Sequence, residues 1–272
     1  MFEQLKYKNH LGEVIEFGKE GIFVNIGALR DYEWKVTSKG NKISKLSRGV
    51  QTRKLPVVIM CATEEEGIAA RNRLFETFET DTLALQHGQI IIGDYYFKCF
   101  VTKSAKSDYL RSNRFMELTL TLSSDFPYWV KEKMQTFGVA EEIGDGVDYP
   151  FDFSFDYLTD IASTSLVNGH FVPANFKIVV YGPCVNPSIN IAGHTYQVDC
   201  TVADGEYLTI DSTAKKIFTT RNDGSTVNQF NNRNKSSYIF EKIPSGANPV
   251  TWNGDFGFDV ILMEERSEPK WI

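Results

Sequence analysis

The sequence predicts a mainly β protein in two parts: a β-rich N-terminal domain with one α-helix, then an antiparallel β-sandwich. Three observations lead there. Aromatic residues are abundant, with 20 Phe, 12 Tyr and 4 Trp in 272 residues, and such side chains suit the pleated, half-buried surface of strands. Turn formers are frequent, with 20 Gly and 9 Pro, and several stand in X-Gly pairs between short apolar stretches. Charge also changes sign along the chain. Residues 1–140 hold 20 basic and 17 acidic side chains, a net of +3, whereas residues 141–272 hold 9 and 18, a net of −9. The change falls at 141–150, an acidic, Gly-containing stretch that reads as a linker between domains 1–140 and 151–272.

In the first domain, Gly21–Ile26 and Tyr32–Val36 alternate apolar and polar residues, the period of a half-buried strand. Leu55–Met60 is a continuous apolar run and is expected as a fully buried strand. A helix follows. Thr63 with Glu66 makes a capping box, and Glu64, Glu65 and Glu66 place negative charge at the positive end of the helix dipole. Its packing face is expected to carry Ile68, Leu74, Phe75 and Phe78, and its end is expected near Thr80. Strands are expected again at Gln89–Ile92, Tyr95–Val101 and Phe115–Leu122.

The second domain shows strands only. Phe151, Phe153, Phe155 and Tyr157 alternate with polar residues. Ile178–Tyr181, Ile189–Ile191, Tyr196–Thr201, Tyr207–Ile210, Lys216–Thr219, Ser237–Phe240 and Phe256–Met263 follow at short intervals. Ala192-Gly193, Asp204-Gly205, Asp223-Gly224, Ser245-Gly246 and Asn253-Gly254 separate them as turn signals.

Several chemistries leave no trace. The longest apolar run, Leu55–Ala62, spans eight residues and contains Pro56, far short of the roughly 20 residues of a membrane helix. Met1–Phe17 is charged and lacks an apolar core, so no signal peptide is expected. Cys61, Cys99, Cys184 and Cys200 form no CxxC pair and are expected as reduced thiols. Phosphate-loop, dinucleotide and nucleophile-elbow motifs are missing, and His10, His87, His170 and His194 show no metal-ligand spacing. No catalytic, metal or cofactor-binding residue is assigned, and no cofactor is expected. A glycosidase would need two facing carboxylates. Asp152, Asp156, Asp199, Asp211 and Asp259 lie in or beside expected strands, where a solvated strand face accounts for them.

One basic stretch stands out. Lys35, Lys39, Lys42, Lys45, Arg48, Arg53 and Lys54 occur with no acidic residue between Glu33 and Glu64. A single-strand nucleic-acid binder would interleave aromatics with these charges, and none are interleaved. The stretch is therefore expected to form a polar hairpin or a subunit-contact arm.

The order of elements carries a resemblance. The helix at 63–80, then Gly88-Gln89-Ile90-Ile91-Ile92-Gly93-Asp94-Tyr95-Tyr96 and Leu118–Phe126 with Pro127-Tyr128-Trp129, is similar to the N-terminal half of siphophage tail components. Gly182-Pro183-Cys184-Val185-Asn186-Pro187, Gly205-Glu206-Tyr207-Leu208-Thr209-Ile210-Asp211 and Ile243–Val250 resemble pieces of the distal tail protein family. That resemblance implies a structural part. It implies a hexameric ring of N-terminal belt domains at the tail tip, with galectin-like, jelly-roll C-terminal sandwiches projecting outward. The partners implied are other copies of the chain, the tail tube protein, the tail-tip hub and the receptor-binding protein. The implied location is the distal end of the virion tail, after synthesis in the host cytoplasm. Neither membrane insertion nor sequence-specific nucleic-acid binding is implied, although DNA would pass through the ring. The alternative is a carbohydrate-binding module for host attachment, for which Tyr207 and Trp252 are the candidate glycan-facing aromatics.

Overall fold

The computed structural model describes residues 4–25, 27–108, 112–139 and 165–271. They form two compact units, Met1–Lys131 with Glu265–Ile272, and Glu132–Glu264. The expected linker 141–150 and the expected strand Phe151–Tyr157, with Asp152 and Asp156, lie outside the described residues.

The first unit contains β1 (Leu5–Lys8), β2 (Val14–Glu16), β3 (Ile22–Val24), β4 (Lys35–Lys39), β5 (Lys42–Ser47), β6 (Gln51–Met60), α1 (Glu64–Ala84), β7 (Gly88–Ile92), β8 (Tyr95–Asp108) and β9 (Phe115–Ser124). All its strand pairs are antiparallel. They run β2-β1-β7-β8, and β8 continues through β9 and β6 to β3. A further strand, β10 (Trp129–Phe137), starts beside β8 by pairing Trp129 with Phe97 and Val130 with Tyr96. The expected fully buried run at Leu55–Met60 is instead buried on one face. Leu55, Val57 and Ile59 point into the core while Pro56 and Met60 point out. An antiparallel sheet covered on a single side needs no second apolar face. The strand expected from Tyr32 begins only at Lys35.

Helix α1 packs on this sheet. Its capping box forms as expected: Glu66 N donates to Thr63 Oγ1 at 3.2 Å, and Thr63 N donates to Glu66 Oε2 at 3.1 Å. Its packing face keeps Leu74 and Phe78 from the expectation but is otherwise different. The buried stripe is Gly67, Ala70, Leu74, Thr77, Phe78 and Asp81, while Ile68 is 44% exposed and Phe75 half-buried. Gly67 explains the register. A Cβ there would meet Asn113 O at 2.1 Å, so the helix lies on the backbone before β9 through a residue without a side chain. The helix also runs four residues past Thr80, because Asp81 is anchored in the core, and it stops at Leu85 in the left-handed conformation (φ 52°).

The second unit is a two-layer antiparallel sandwich. Its strands are β11 (Ser165–Asn168), β12 (Asn175–Tyr181), β13 (Cys184–Val185), β14 (Ser188–Ile191), β15 (His194–Gln197), β16 (Thr201–Val202), β17 (Tyr207–Asp211), β18 (Lys216–Thr220), β19 (Thr226–Asn228), β20 (Gly246–Thr251) and β21 (Phe258–Arg266). One layer runs β19-β18-β17-β12-β21 and the other β11-β20-β14-β15, with β13 and β16 as a separate pair. Ile178, Val180, Leu208 and Val260 from the first layer share one core with Ile189, Ile191, Tyr196 and Val250 from the second. The hairpin β14–β15 closes through Ala192 and Gly193, both at positive φ (54° and 81°) and flanked by the Ile191–His194 pair, as a type I′ turn requires. The strand expected at Ser237–Phe240 is absent: that segment is a loop whose Ile239 and Phe240 plug the core.

Candidate functional site

The basic stretch divides into three environments. Among the described residues, strands β4 and β5 pair only with each other, and every residue of β4 is exposed. Val36 pairs with Leu46 and Ser38 with Ile43, across a register shift between Thr37 and Ser38. Directly opposed residues share a face, and alternate residues along a strand do too. One face therefore carries Val36, Ile43 and Leu46, at 58%, 65% and 55% exposure. The other carries Lys35, Lys39, Lys42 and Lys45. The hairpin is an arm with a lysine face and an aliphatic face.

Arg48 sits at the root of that arm. Its guanidinium carbon lies 4.9 Å from the Trp34 ring centre, 5.5 Å from Tyr32 and 4.8 Å from Tyr128, and Nη1 donates to Pro127 O at 2.7 Å. Nε and Nη2 have no hydrogen-bond partner among the described residues, so aromatic faces cover the rest of the cation. Burial holds its pKa below the usual arginine range. Arg53 is no part of the arm. It is 5% exposed, lies 4.2 Å from the Phe97 ring centre, and donates through Nη1 to Leu29 O. Burial pushes its pKa down to about 10. Lys54 is exposed on the outer face of β6.

The C-terminal residues Glu265–Ile272 belong to the first unit. Arg30 Nη1 donates to Pro269 O at 2.8 Å, and its guanidinium carbon stands 3.8 Å over the Trp271 ring.

The histidines are more engaged than their spacing implies. His10 Nδ1 and the His10 backbone N lie 2.6 Å and 2.8 Å from Asp81 Oδ1, and His87 Nε2 lies 2.8 Å from Asp125. His170 is buried against Phe171, and His194 Nε2 contacts Tyr238 O at 2.9 Å. Among the described residues no group of three His, Cys, Asp or Glu side chains could hold a metal ion. The described strand carboxylates serve local bonds. Asp199 accepts from Gln197, Asp211 from the backbone of Thr213 and Ala214, and Asp259 from Tyr181 Oη at 2.6 Å. All four cysteines are free. Burial raises the thiol pKa at each, to about 12 at Cys99 and about 11 at Cys200. None of the described helices is long and apolar enough to cross a membrane.

The two candidate glycan-facing aromatics do not meet. Tyr207 is on β17, in the first layer of the sandwich, opposite Tyr181. Trp252 follows β20, in the other layer, and lines a cleft of about 350 Å³ with Asn186, Ser188, Asn190, Thr251 and Asn253. The sequence reading missed those neutral side chains, whose only signal was their place between turn residues. A second cleft, of about 540 Å³ in the first unit, is lined by Phe23, Met60, Cys61 and Ala69, with Glu20 and Arg73.

No protein-family model matches the chain, and no curated protein matches it. Solved structures do. The Dit protein of phage SPP1, described as a paradigm of the hub adsorption apparatus of phages infecting Gram-positive bacteria, aligns with a TM-score of 0.59 at 11% identity. That alignment covers 97% of this chain and 99% of that one. A chain of the phage P2 baseplate, in its activated conformation with Ca, aligns with a TM-score of 0.63 at 11% identity, over 99% of this chain and 100% of that one. The same baseplate with Sr gives 0.62. Over nearly its whole length, this chain has the fold of the SPP1 distal tail protein and of a phage P2 baseplate component.

Proposed function

We propose that this chain is a structural, non-enzymatic part of a phage or prophage tail tip. In this reading six copies close into a ring that joins the tail tube to the tail-tip hub and the receptor-binding apparatus. The observation that carries it is the β4–β5 arm, on a chain whose fold matches tail-hub proteins from end to end. An isolated two-stranded hairpin is marginally stable in water, and its aliphatic face gains by burial against another surface. A closed ring needs two different complementary patches on each subunit. The arm supplies one. The apolar cleft at Phe23, Met60 and Ala69 supplies a second of matching character. Lysine repulsion between neighbouring arms is relieved if their charged faces stay in solvent.

Light scattering on the full chain at moderate salt, followed by imaging, tests this reading. Six-copy rings are the expected result, and the double variant Val36→Glu, Leu46→Glu is expected to be monomeric with an unchanged melting profile. A parent chain that stays monomeric at high concentration counts against the ring. Rings formed by the double variant count against the arm.

A further inference from the structure

The cleft beside Trp252 has a chemistry that the ring does not use. Asn190 on β14 is directly paired with Thr251 on β20, so the two share the outer face of their layer, and Ser188 lies two residues along on that face. Asn186 precedes β14 in the left-handed conformation (φ 50°), and Trp252 and Asn253 follow β20. None of these six side chains is charged, in a chain where 24% of residues are.

Three of the six are already engaged. Asn190 accepts from Gly193 N at 3.0 Å and donates to Thr195 Oγ1 at 3.3 Å. Asn253 donates to Asp255 at 2.7 Å, and the Trp252 indole N–H donates to Phe256 O at 3.1 Å. The Asn186 amide and the Ser188 and Thr251 hydroxyls make no side-chain hydrogen bond among the described residues. They face the cleft with their donors and acceptors uncommitted. Trp252 is fixed beside them. Phe137 and Phe258 stack on each other at 4.7 Å and meet the indole nearly edge-on, at 5.8 Å and 5.2 Å. Its ring is thus immobilised before any ligand arrives, which lowers the entropic cost of stacking on it.

A rigid aromatic surface next to neutral hydroxyls and an amide matches a molecule with an apolar C–H face and a rim of hydroxyls. We propose that this cleft binds a neutral saccharide, with one pyranose ring against Trp252 and its hydroxyls bonded to Asn186, Ser188 and Thr251. A charged ligand finds no counter-charge there, and Tyr207, in the opposite layer, takes no part.

The test titrates methyl glycosides of glucose, galactose, mannose, rhamnose and N-acetylglucosamine into the full chain, followed by saturation-transfer NMR and calorimetry. At least one is expected to bind with a Kd of about 1 mM, as a few neutral contacts allow. Affinity is expected to be unchanged between about 50 and 500 mM salt, because no charge takes part. Ser188→Ala and Thr251→Val are each expected to weaken binding about fivefold, the value of one neutral hydrogen bond. Asn186→Gly removes the amide while keeping the left-handed backbone, and is expected to do the same. A panel in which no glycoside binds overturns the proposal. So does binding that the three variants leave intact, or binding that falls steeply with salt. Light scattering on the same samples reports ring formation separately, so failure here leaves the adaptor reading standing.

Discussion

The Tyr7 hydroxyl donates to Asp81 Oδ2 at 2.5 Å, and both side chains are 0% exposed. Strand β1 and the last turn of α1 are thereby tied through a buried carboxylate whose other oxygen receives the His10 backbone N–H. The carboxylate sits near the negative end of the helix dipole and depends on these donors. Tyr7→Phe is expected to cost about 1.5–3 kcal/mol, the range for a hydrogen bond to a charged group, measured by denaturant unfolding. Gly88→Ala is expected to be at least as harmful, since its Cβ would stand 2.0 Å from the Tyr7 hydroxyl and 2.2 Å from Asp81 Oδ2. A Gly88→Ala protein as stable as the parent would show that β7 can move away from this bond.

Alkaline pH should loosen the fold. Burial, then the bond to Asp81, raises the Tyr7 pKa above the usual tyrosine range, and burial pushes Cys99 up to about 12. In the unfolded chain such groups ionise near pH 8.5–10. Above about pH 9 the unfolded state therefore binds fewer protons than the native state, so stability is fully present below that pH and falls as pH rises toward 12. Tyr7→Phe is expected to flatten the decline above about pH 10 by one proton, about 1.4 kcal/mol per pH unit. Denaturant midpoints measured from pH 8 to 11 check this, and a flat parent profile would defeat it.

The helix face makes a ranking. Leu74 is fully buried, so Leu74→Ala is expected to cost about 2–5 kcal/mol. Phe75 is half-buried, its ring 4.6 Å from Lys106 Nζ, and Phe75→Ala is expected to cost less than half as much. Ile68→Ala, at an exposed position, is expected to stay within about 0.5 kcal/mol. Thermal melts of the three variants read the order, and an Ile68→Ala cost equal to that of Leu74→Ala would contradict the register described.

Arg48 should control the arm. Arg48→Ala removes the cation that Tyr32, Trp34 and Tyr128 surround, and is expected to speed proteolysis within β4–β5 several-fold while the core melts nearly as before. Arg48→Lys is expected to restore little, because an ammonium lacks the planar face that stacks on rings. Full protection in the lysine variant would mean that charge alone suffices.

If the arm of one copy seats in the cleft of the next, as proposed, the two can be joined chemically. Cys61 lines the Phe23–Met60 cleft, and burial raises its thiol pKa, so the link needs an added oxidant at mildly alkaline pH. Ile43→Cys is expected to give a ladder of intermolecular disulfides up to six copies on non-reducing gels, abolished by Cys61→Ser. A ladder that persists without Cys61 would place the arm elsewhere.

Some of this was legible in the residues. Thr63 and Glu66 state the helix start in local chemistry, and the X-Gly turns put positive φ where glycine allows it. The helix face was half legible: Leu74 and Phe78 are buried as their size predicts, but the rest of the stripe is Gly67, Ala70, Thr77 and Asp81, chosen for closeness and hydrogen bonding rather than size. Strands β1 and β2 were missed since Leu5 and Tyr7 alternate with Lys6 and Lys8, and Val14-Ile15 is a lone apolar pair between Glu13 and Glu16; Leu5, Tyr7 and Ile15 are buried only when β7 arrives from a distance in sequence. The lysines of the arm were visible as a run, yet their common face depends on a register shift that no periodicity reveals. The Trp252 cleft joins residues about 65 positions apart, and strand pairing alone brings them together.

The chain leaves the first compact unit at Lys131–Glu132 and re-enters it at Glu264–Glu265. The second unit is therefore an insertion, tethered at both ends. A pull on it, such as drag on anything bound there, divides between two covalent crossings, and the returning end is latched where Arg30 meets Pro269 and Trp271. Such a connection resists peeling, because neither tether can lengthen without unravelling a strand of the first unit or dislodging that latch. It also frees the inserted cassette to be exchanged during evolution, provided both ends still land where β10 begins and β21 finishes.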